Sequence, residues 1–509
     1  VPIFTIMFAR GMFLRGTDPD ARRLTRVEIA FLLGAILLCR VLAIRACPIY
    51  DDAFITYRYA RNLAQGAGLV FNPGAPWEPI LGTTTPGYAV LLSLFSRVGI
   101  GLVQASRGVN LIADLATAWL ILAAFDYRRI AGAAAVSCFA ALPQLARISM
   151  GGMEAPLFAA LALASAVALE RGRVSLAGTL AALTCLVRPE GVLLLPVLGA
   201  ARIRNPRALV RLSLPVLAIG AVSVILLCTT YGDPIPQSVH AKSQMHGGPA
   251  WSENLSRWRT ILTQSFAPHA AYLPLVPLVF VGARATLTRR GGARCFSLFS
   301  LAITASYLAA RPHTWGWYFY VPLVAWCLWL GLGIEVAAPW IARAAERVRA
   351  RLLLRLLRPV TLASILIVVA AAVSFALPTR VPARVYEPMQ RWASETSKLH
   401  PRATILASDI GAIAYTWTGT VLDSEGLTWP EALRYQHPTA MIEAMQPDYV
   451  LLVAERPRVE HFRSEDRVRR LYVPMARFSA SGETELEPEL DRVSPTWVQD
   501  YLVYKRVGL

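Results

Sequence analysis

Chemistry in this sequence has to come from a small set of acids. The first 377 of its 509 residues hold only 15 Asp and Glu, and two of these stand side by side in Tyr50-Asp51-Asp52-Ala53-Phe54-Ile55-Thr56-Tyr57-Arg58-Tyr59-Ala60-Arg61. Adjacent carboxylates can share a proton, orient a hydroxyl or hold a hard divalent cation such as Mg or Mn. Glu78, Glu154, Glu190, Asp233 and Glu253 are the other acids expected on or near the same side as Asp51 and Asp52. Charged groups at a bilayer boundary are costly unless paired or wet, which makes them functional candidates. Asp233 and Glu253 read equally well as residues that solvate loops. Arg188 and Lys242 supply positive charge in the same set of connections.

The elements that must position these residues are apolar. Hydrophobic residues make up 55% of the chain and charged residues 17%, against about 25% charged in a soluble domain. Mean hydropathy is +0.45. These values exclude a disordered chain, a collagen-like repeat and an ordinary soluble enzyme. A net charge of +18 could mark a nucleic-acid binder, so the placement of the charge decides. Residues 378–509 hold 16 Lys+Arg and 18 Asp+Glu, or −2, which leaves 35 − 15 = +20 in residues 1–377. There the arginines bunch between apolar runs: Arg10 to Arg26, Arg171 and Arg173, Arg202 to Arg211, Arg289 to Arg294, and Arg343 to Arg358. That is the positive-inside pattern of a membrane protein. Membrane lipids are therefore expected partners, and nucleic acid is not.

With those clusters on the cytoplasmic side, Val27 to Ala46 is the first span, an anchor without a small-residue cleavage site. Apolar runs follow at 86–100, 108–125, 130–147, 155–170, 174–187, 191–203, 212–230, 269–285, 295–310, 317–338 and 359–377. The expected fold is mainly α and polytopic, with about 11–13 transmembrane helices and a small α/β domain after them. An inside start and an outside end need an odd number of crossings, so one run between 86 and 147 is expected not to span fully. The runs flanking Arg188 are short for a bilayer and suit a tilted or re-entrant hairpin. The division expected is a membrane domain over 1–377, with outer loops at 47–85 and 231–268, and an extracytoplasmic domain over 378–509.

Phe54, Tyr57 and Arg61 fall on one helical stripe, which predicts an amphipathic helix lying on the membrane surface. In the tail, 404–408, 420–423, 449–453 and 501–504 are strand candidates. Asp409 and Asp423 close two of them and read chiefly as turn formers, with an acceptor contact as the alternative. Trp315, Trp317, Tyr318 and Tyr320 read first as an interfacial aromatic belt, with His313 beside them. The seven cysteines lie in or at the ends of apolar runs and show neither a disulfide framework nor zinc spacing.

Several motifs together resemble the GT-C superfamily of integral membrane glycosyltransferases. They are DDAFITYRYARNLAQGAGLVFNPG at 51–74, GTTTPGY at 82–88, GMEAPLF at 152–158, VRPEG at 187–191, YGDPIPQSVHAK at 231–242, HTWGWYFYVP at 313–322 and SDIGAIAY at 408–415. The subgroup most similar is bacterial and includes mycobacterial terminal arabinofuranosyltransferases. The resemblance implies an inner-membrane enzyme with a cytoplasmic N-terminus. Its donor would be a polyprenyl-phosphate-linked sugar, and its acceptor a cell-envelope glycan, lipid or protein on the outer face. It implies that Asp51 is the general base on the acceptor hydroxyl and that Asp52 positions the acceptor or binds a cation. Glu154 would be a second acid facing the cavity, also a ligand if a divalent ion binds. Arg188 and Lys242 would bind the donor phosphate, and Glu190 would hold Arg188 or a sugar hydroxyl. Tyr57, Arg58, His313 and Trp315 complete the expected substrate contacts.

Elementary chemistry fits the same division. Transfer from a phosphate leaving group needs no strong acid, because phosphate departs as an anion; it needs a base, positive charge and exclusion of water. A glycoside hydrolase, by contrast, must protonate its leaving group. The alternative from another class is a transporter or flippase of lipid-linked glycans, in which repeated halves and midplane charges are expected.

Overall fold

In the computed structural model of the protein, the described residues are 23–246, 250–266, 275–288, 291–312, 314–347, 382–435, 437–453, 470–479, 484–486 and 500–509. The helices up to the middle of the chain are α1 (Arg26–Ala46), α2 (Asp51–Ala64), α3 (Pro86–Arg97), α4 (Leu102–Ala124), α5 (Arg129–Ala141), α6 (Pro143–Met150), α7 (Ala155–Glu170), α8 (Val174–Val187) and α9 (Leu194–Arg202). They continue as α10 (Pro206–Tyr231), α11 (Gln237–His246), α12 (Trp251–Phe266), α13 (Val276–Thr288), α14 (Gly292–Ala310), α15 (Tyr320–Arg347), α16 (Pro382–Leu399), α17 (Gly411–Thr416) and α18 (Pro438–Met445).

The apolar runs form these helices nearly in register. The first span begins where Thr25 caps it: Glu28 N–H donates to Thr25 Oγ1 at 3.3 Å and Thr25 N–H donates to Glu28 Oε2 at 2.9 Å, a reciprocal capping box. Five described stretches are long and apolar enough to cross a membrane, at Arg26–Ile44, Leu102–Ala124, Pro206–Tyr231, Gly292–Ala310 and Gly316–Ala338. The pair α5 and α6 makes a sixth if counted as one span, bent by 61° where Pro143 removes a helix donor. Helices α7, α8 and α13 are shorter and apolar. The 12 residues of α3 rise about 18 Å, too short for a hydrocarbon core of about 30 Å. The run expected at 359–377 lies outside the described residues. The mainly α membrane class with a small C-terminal sheet is thus the observed one.

The chain divides into two compact units. One comprises residues 1–47, 107–222 and 248–378, and the other residues 48–106, 223–247 and 379–509. In the first, α13 and α15 cross with no room for side chains. A Cβ on Gly282 would lie 1.7 Å from Trp329 O, and one on Gly333 would lie 1.8 Å from Leu278 O, so small residues set the crossing. The same unit buries an ion pair, Arg40 with Asp114, both fully enclosed. Asp114 also accepts from Ser149 Oγ at 2.7 Å and from the Tyr320 hydroxyl, tying α1, α4, α6 and α15 together.

The second unit is built on a six-stranded sheet of order β2-β1-β3-β6-β4-β5. Its strands are β1 (Ile405–Ala407), β2 (Val421–Asp423), β3 (Tyr449–Val453), β4 (Tyr472–Phe478), β5 (Thr484–Leu486) and β6 (Tyr501–Arg506). β2, β1 and β3 are parallel, and the remaining pairings are antiparallel. β1, β2 and β3 are buried throughout, as uninterrupted apolar strands covered on both faces must be. Four strands fall on the expected segments. β4 is not legible in the sequence, because Pro474 interrupts its alternation at a register shift.

Residues 48–106 are folded into this unit. The sequence predicts that α2 lies on a surface with one buried stripe; instead every residue from Ala53 to Ala60 is buried, because α3 and α17 pack against it. Arg58 explains how a charged residue enters such a core. Its guanidinium donates to the carbonyls of Phe71 at 2.6 Å, Trp417 at 2.8 Å and Gly419 at 3.3 Å, and also to that of Ala414. Asn72 completes the attachment: its amide donates to Val421 O at 2.9 Å and accepts from Val421 N–H at 3.0 Å, which satisfies the open edge of β2. We expect Arg58→Ala to leave several carbonyls buried without donors and to destabilise the protein by about 3 kcal/mol or more. Thermal unfolding of the purified protein would check this, and Arg61→Ala, whose side chain is less buried, should cost less.

Candidate active site

The second unit gathers a carboxylate cluster at the start of α2. Asp51 accepts from the backbone N–H of Gly411 at 2.9 Å through Oδ2 and from that of Ala412 at 2.8 Å through Oδ1. These donors are the first amides of α17, which have no partner within the helix. The approach demands a glycine: a Cβ on residue 411 would lie 1.9 Å from Asp51 O and 2.6 Å from its Oδ2. Burial, Asp409 and Asp52 push the Asp51 carboxyl up to about 7, against the two amides that favour its charge. Asp52 is raised as well, first by burial, with Lys242 opposing and Asp409 reinforcing.

Two phenols close the cluster. The Tyr501 hydroxyl donates to Asp409 Oδ2 at 2.8 Å. Burial and the adjacent acids hold the Tyr386 and Tyr501 hydroxyls well above their usual range, so both stay protonated as donors. Tyr57 is buried, with its hydroxyl bonded to Ser106 Oγ and its ring edge-on to Phe54. Tyr57 and Arg58 thus stand behind the carboxylates, in the packing that holds α2. Glu78 organises the following loop, accepting from the N–H groups of Phe71 at 3.0 Å, Asn72 at 2.7 Å and Ile80 at 2.7 Å. Lys242, on α11, supplies the positive charge that acts on Asp52.

The first unit holds the other expected residues as a second cluster. Arg188 Nη1 donates to Glu154 Oε1 at 2.6 Å, and Nη2 and Nε donate to the two oxygens of Glu190 at 2.7 and 3.2 Å. Tyr307 donates to Glu190 Oε1 at 2.7 Å, and the guanidinium lies 5.2 Å from the centroid of the Tyr318 ring. Two carboxylates on one guanidinium give the group a formal charge of −1, so Arg188 is not a bare positive centre. Trp315 stacks on Trp317 at 5.7 Å and remains partly exposed. His313 lies outside the described residues. Among the described residues, no three His, Cys, Asp or Glu side chains come together as metal ligands.

Asp409, Tyr386 and Tyr501 are the members that sequence reasoning underweighted or missed. The segment SDIGAIAY contains Asp409 and both amides that bind Asp51, whereas Tyr501 sits in an ordinary strand and Tyr386 in an amphipathic helix. Asp423 keeps the role of turn former: it accepts from Glu425 N–H at 2.9 Å and Thr428 N–H at 2.8 Å.

Against known proteins, a family model described as a domain of unknown function, DUF8728, matches residues 379–501. No curated protein matches the chain. Among solved structures, ArnT from Cupriavidus metallidurans bound to undecaprenyl phosphate superposes with TM-score 0.59 at 13% identity, over 93% of this chain and 97% of that one. The two share a fold. The apo state of the same protein gives TM-score 0.59 at 15% identity with the same coverage. The arabinosyltransferase EmbB from Mycobacterium smegmatis matches 73% of this chain and 43% of its own, at 17% identity and TM-score 0.44. The fold implied by the sequence motifs is thus one that this chain shares with ArnT.

The buried acids make stability depend on pH. Asp51 and Asp423 both titrate near 7 when folded and near 4 when unfolded. Between those values the folded chain holds more protons, so stability falls as pH rises. We expect the melting temperature to drop between about pH 4 and 7, and Asp423→Asn to flatten that drop; an identical profile in the variant would contradict the assignment.

Proposed function

We propose that this protein is an inverting membrane glycosyltransferase. It would move a sugar from a polyprenyl-phosphate donor to a cell-envelope glycan, lipid or protein acceptor on the outer face of the inner membrane. The observation that carries this reading is Asp51: a half-buried carboxylate fixed by two backbone amides and tuned to about 7. A general base works best with a pKa near the working pH. The shared fold supports the donor class, since ArnT was captured with undecaprenyl phosphate.

In this mechanism each Asp51 oxygen uses one lone pair on an amide and keeps another for the acceptor hydroxyl. As that hydroxyl attacks the anomeric carbon, its proton passes to Asp51. The bond to the phosphate oxygen breaks on the opposite face, which inverts the centre. Asp52 positions the acceptor, and Asp409, with its Tyr501 partner, keeps Asp51 from ionising at low pH. Lys242, whose charge acts on Asp52, offsets charge developing on the phosphate. Because the charge of Arg188 is already matched, it and its two glutamates suit sugar hydroxyls better than phosphate.

Sugar transfer by the purified protein from a polyprenyl-phosphate donor should rise with pH and level off above about 7. Asp51→Asn should lower it by about 100-fold or more. Since Asn would turn its carboxamide NH2, a donor, toward one of the two backbone N–H donors, thermal unfolding must be read alongside. A folded Asp51→Asn protein with full transfer would overturn the proposal.

A further inference from the structure

The first unit contains a cavity of about 840 Å³ that the catalytic reading does not use. It opens where α7 ends and α8 begins, and its walls include Glu170, Arg202, Arg204 and Arg294 with the apolar side chains of Val197 and Leu298. Three arginines against one glutamate give the lining a formal charge of +2. Glu170 is partly engaged, accepting from Gly292 N–H at 2.8 Å, and Arg202 is oriented by a bond to Leu169 O at 2.5 Å. Arg204 and Arg294 form no ion pair among the described residues. Because α7 runs 16 residues from Ala155, next to Glu154, to Glu170, or about 24 Å, the cavity lies at the far end of that helix from the Arg188 cluster.

The surface beside the cavity is apolar. Ile203, which lines it, is 69% exposed, and Val210, Leu214 and Leu217 follow on α10 at 64%, 65% and 67%. The last three are spaced i, i+4 and i+7, a single helical stripe. Only 6% of the α10 span is covered by protein. Positive charge in a recess, continuous with an exposed apolar stripe, matches an amphiphile whose head is anionic and whose tail is hydrocarbon. We infer that this cavity binds the phosphate headgroup of an anionic bilayer phospholipid, with its acyl chains along α10.

The test uses the full-length protein in detergent and reads binding without a transfer assay, so it stands or falls apart from the proposed activity. Phosphatidylglycerol should raise the melting temperature by about 3 °C or more, while phosphatidylcholine and inorganic phosphate should not. The double variant Arg204→Glu/Arg294→Glu should lose that shift, and Arg204→Gln/Arg294→Gln serves if charge reversal prevents folding. Arg391→Glu/Arg402→Glu, which changes the charge equally at exposed positions of the second unit, should keep it. Native mass spectrometry should show bound phosphatidylglycerol in the wild type and not in the cavity variants. Equal shifts in the cavity and control variants, or an equal response to phosphatidylcholine, would overturn the site. A shift produced by phosphate alone would replace the lipid with a soluble phosphate compound.

Discussion

The capture of Asp51 by the first two amides of α17 is the contact on which the second unit turns. It joins residues 360 positions apart, and it settles two problems at once. The amides at a helix start need an acceptor, and a carboxylate out of water needs donors. Neither group is tolerable in that place without the other. Gly411 is then forced, because any side chain there would meet the Asp51 backbone. Arg58 and Asn72 extend the same joint, each satisfying carbonyls or strand edges that α2 and its loop would otherwise cover without replacing their water.

Placing the carboxylate there also sets its chemistry. Two amides favour the charged form, while burial and two further aspartates disfavour it, and the second group of effects wins. Asp423 demonstrates that burial alone is not a mark of function. It is equally raised, yet its oxygens are occupied by the turn it closes. What separates Asp51 is its company: a second acid beside it, a third with a phenol donor, and a lysine.

The first unit solves a related problem with charge pairs. Arg40 with Asp114, and Arg188 with Glu154 and Glu190, are enclosed among apolar helices where an unpaired charge would be far costlier. The two sets differ in composition. Arg40 faces one carboxylate within a network of hydroxyls, whereas Arg188 faces two carboxylates, leaving excess acceptor capacity that could meet hydroxyls.

Much of this architecture is legible in the order of the residues. Apolar run length and the bunching of arginines are local properties, and they locate most of the described apolar helices, though helix ends differ by as much as nine residues, as at Arg347 against 338; strands β1, β2, β3 and β6 are equally plain as short apolar runs. Asp51 and Asp52 stand out because adjacent acids are rare in so apolar a chain. The partners of those acids do not. Asp409, Gly411, Tyr386 and Tyr501 reach Asp51 only through contacts more than 300 residues apart in sequence, and no spacing rule reports such contacts. The same distance hides the burial of α2, whose stripe of Phe54, Tyr57 and Arg61 is real but whose other faces are covered by a segment far along the chain. Sequence by itself determined which stretches are apolar enough to form membrane helices and which residues could carry charge, because hydrophobicity and ionisation belong to each residue. Only the tertiary structure decided which of those charges are paired, buried or tuned, because that depends on what lies against them.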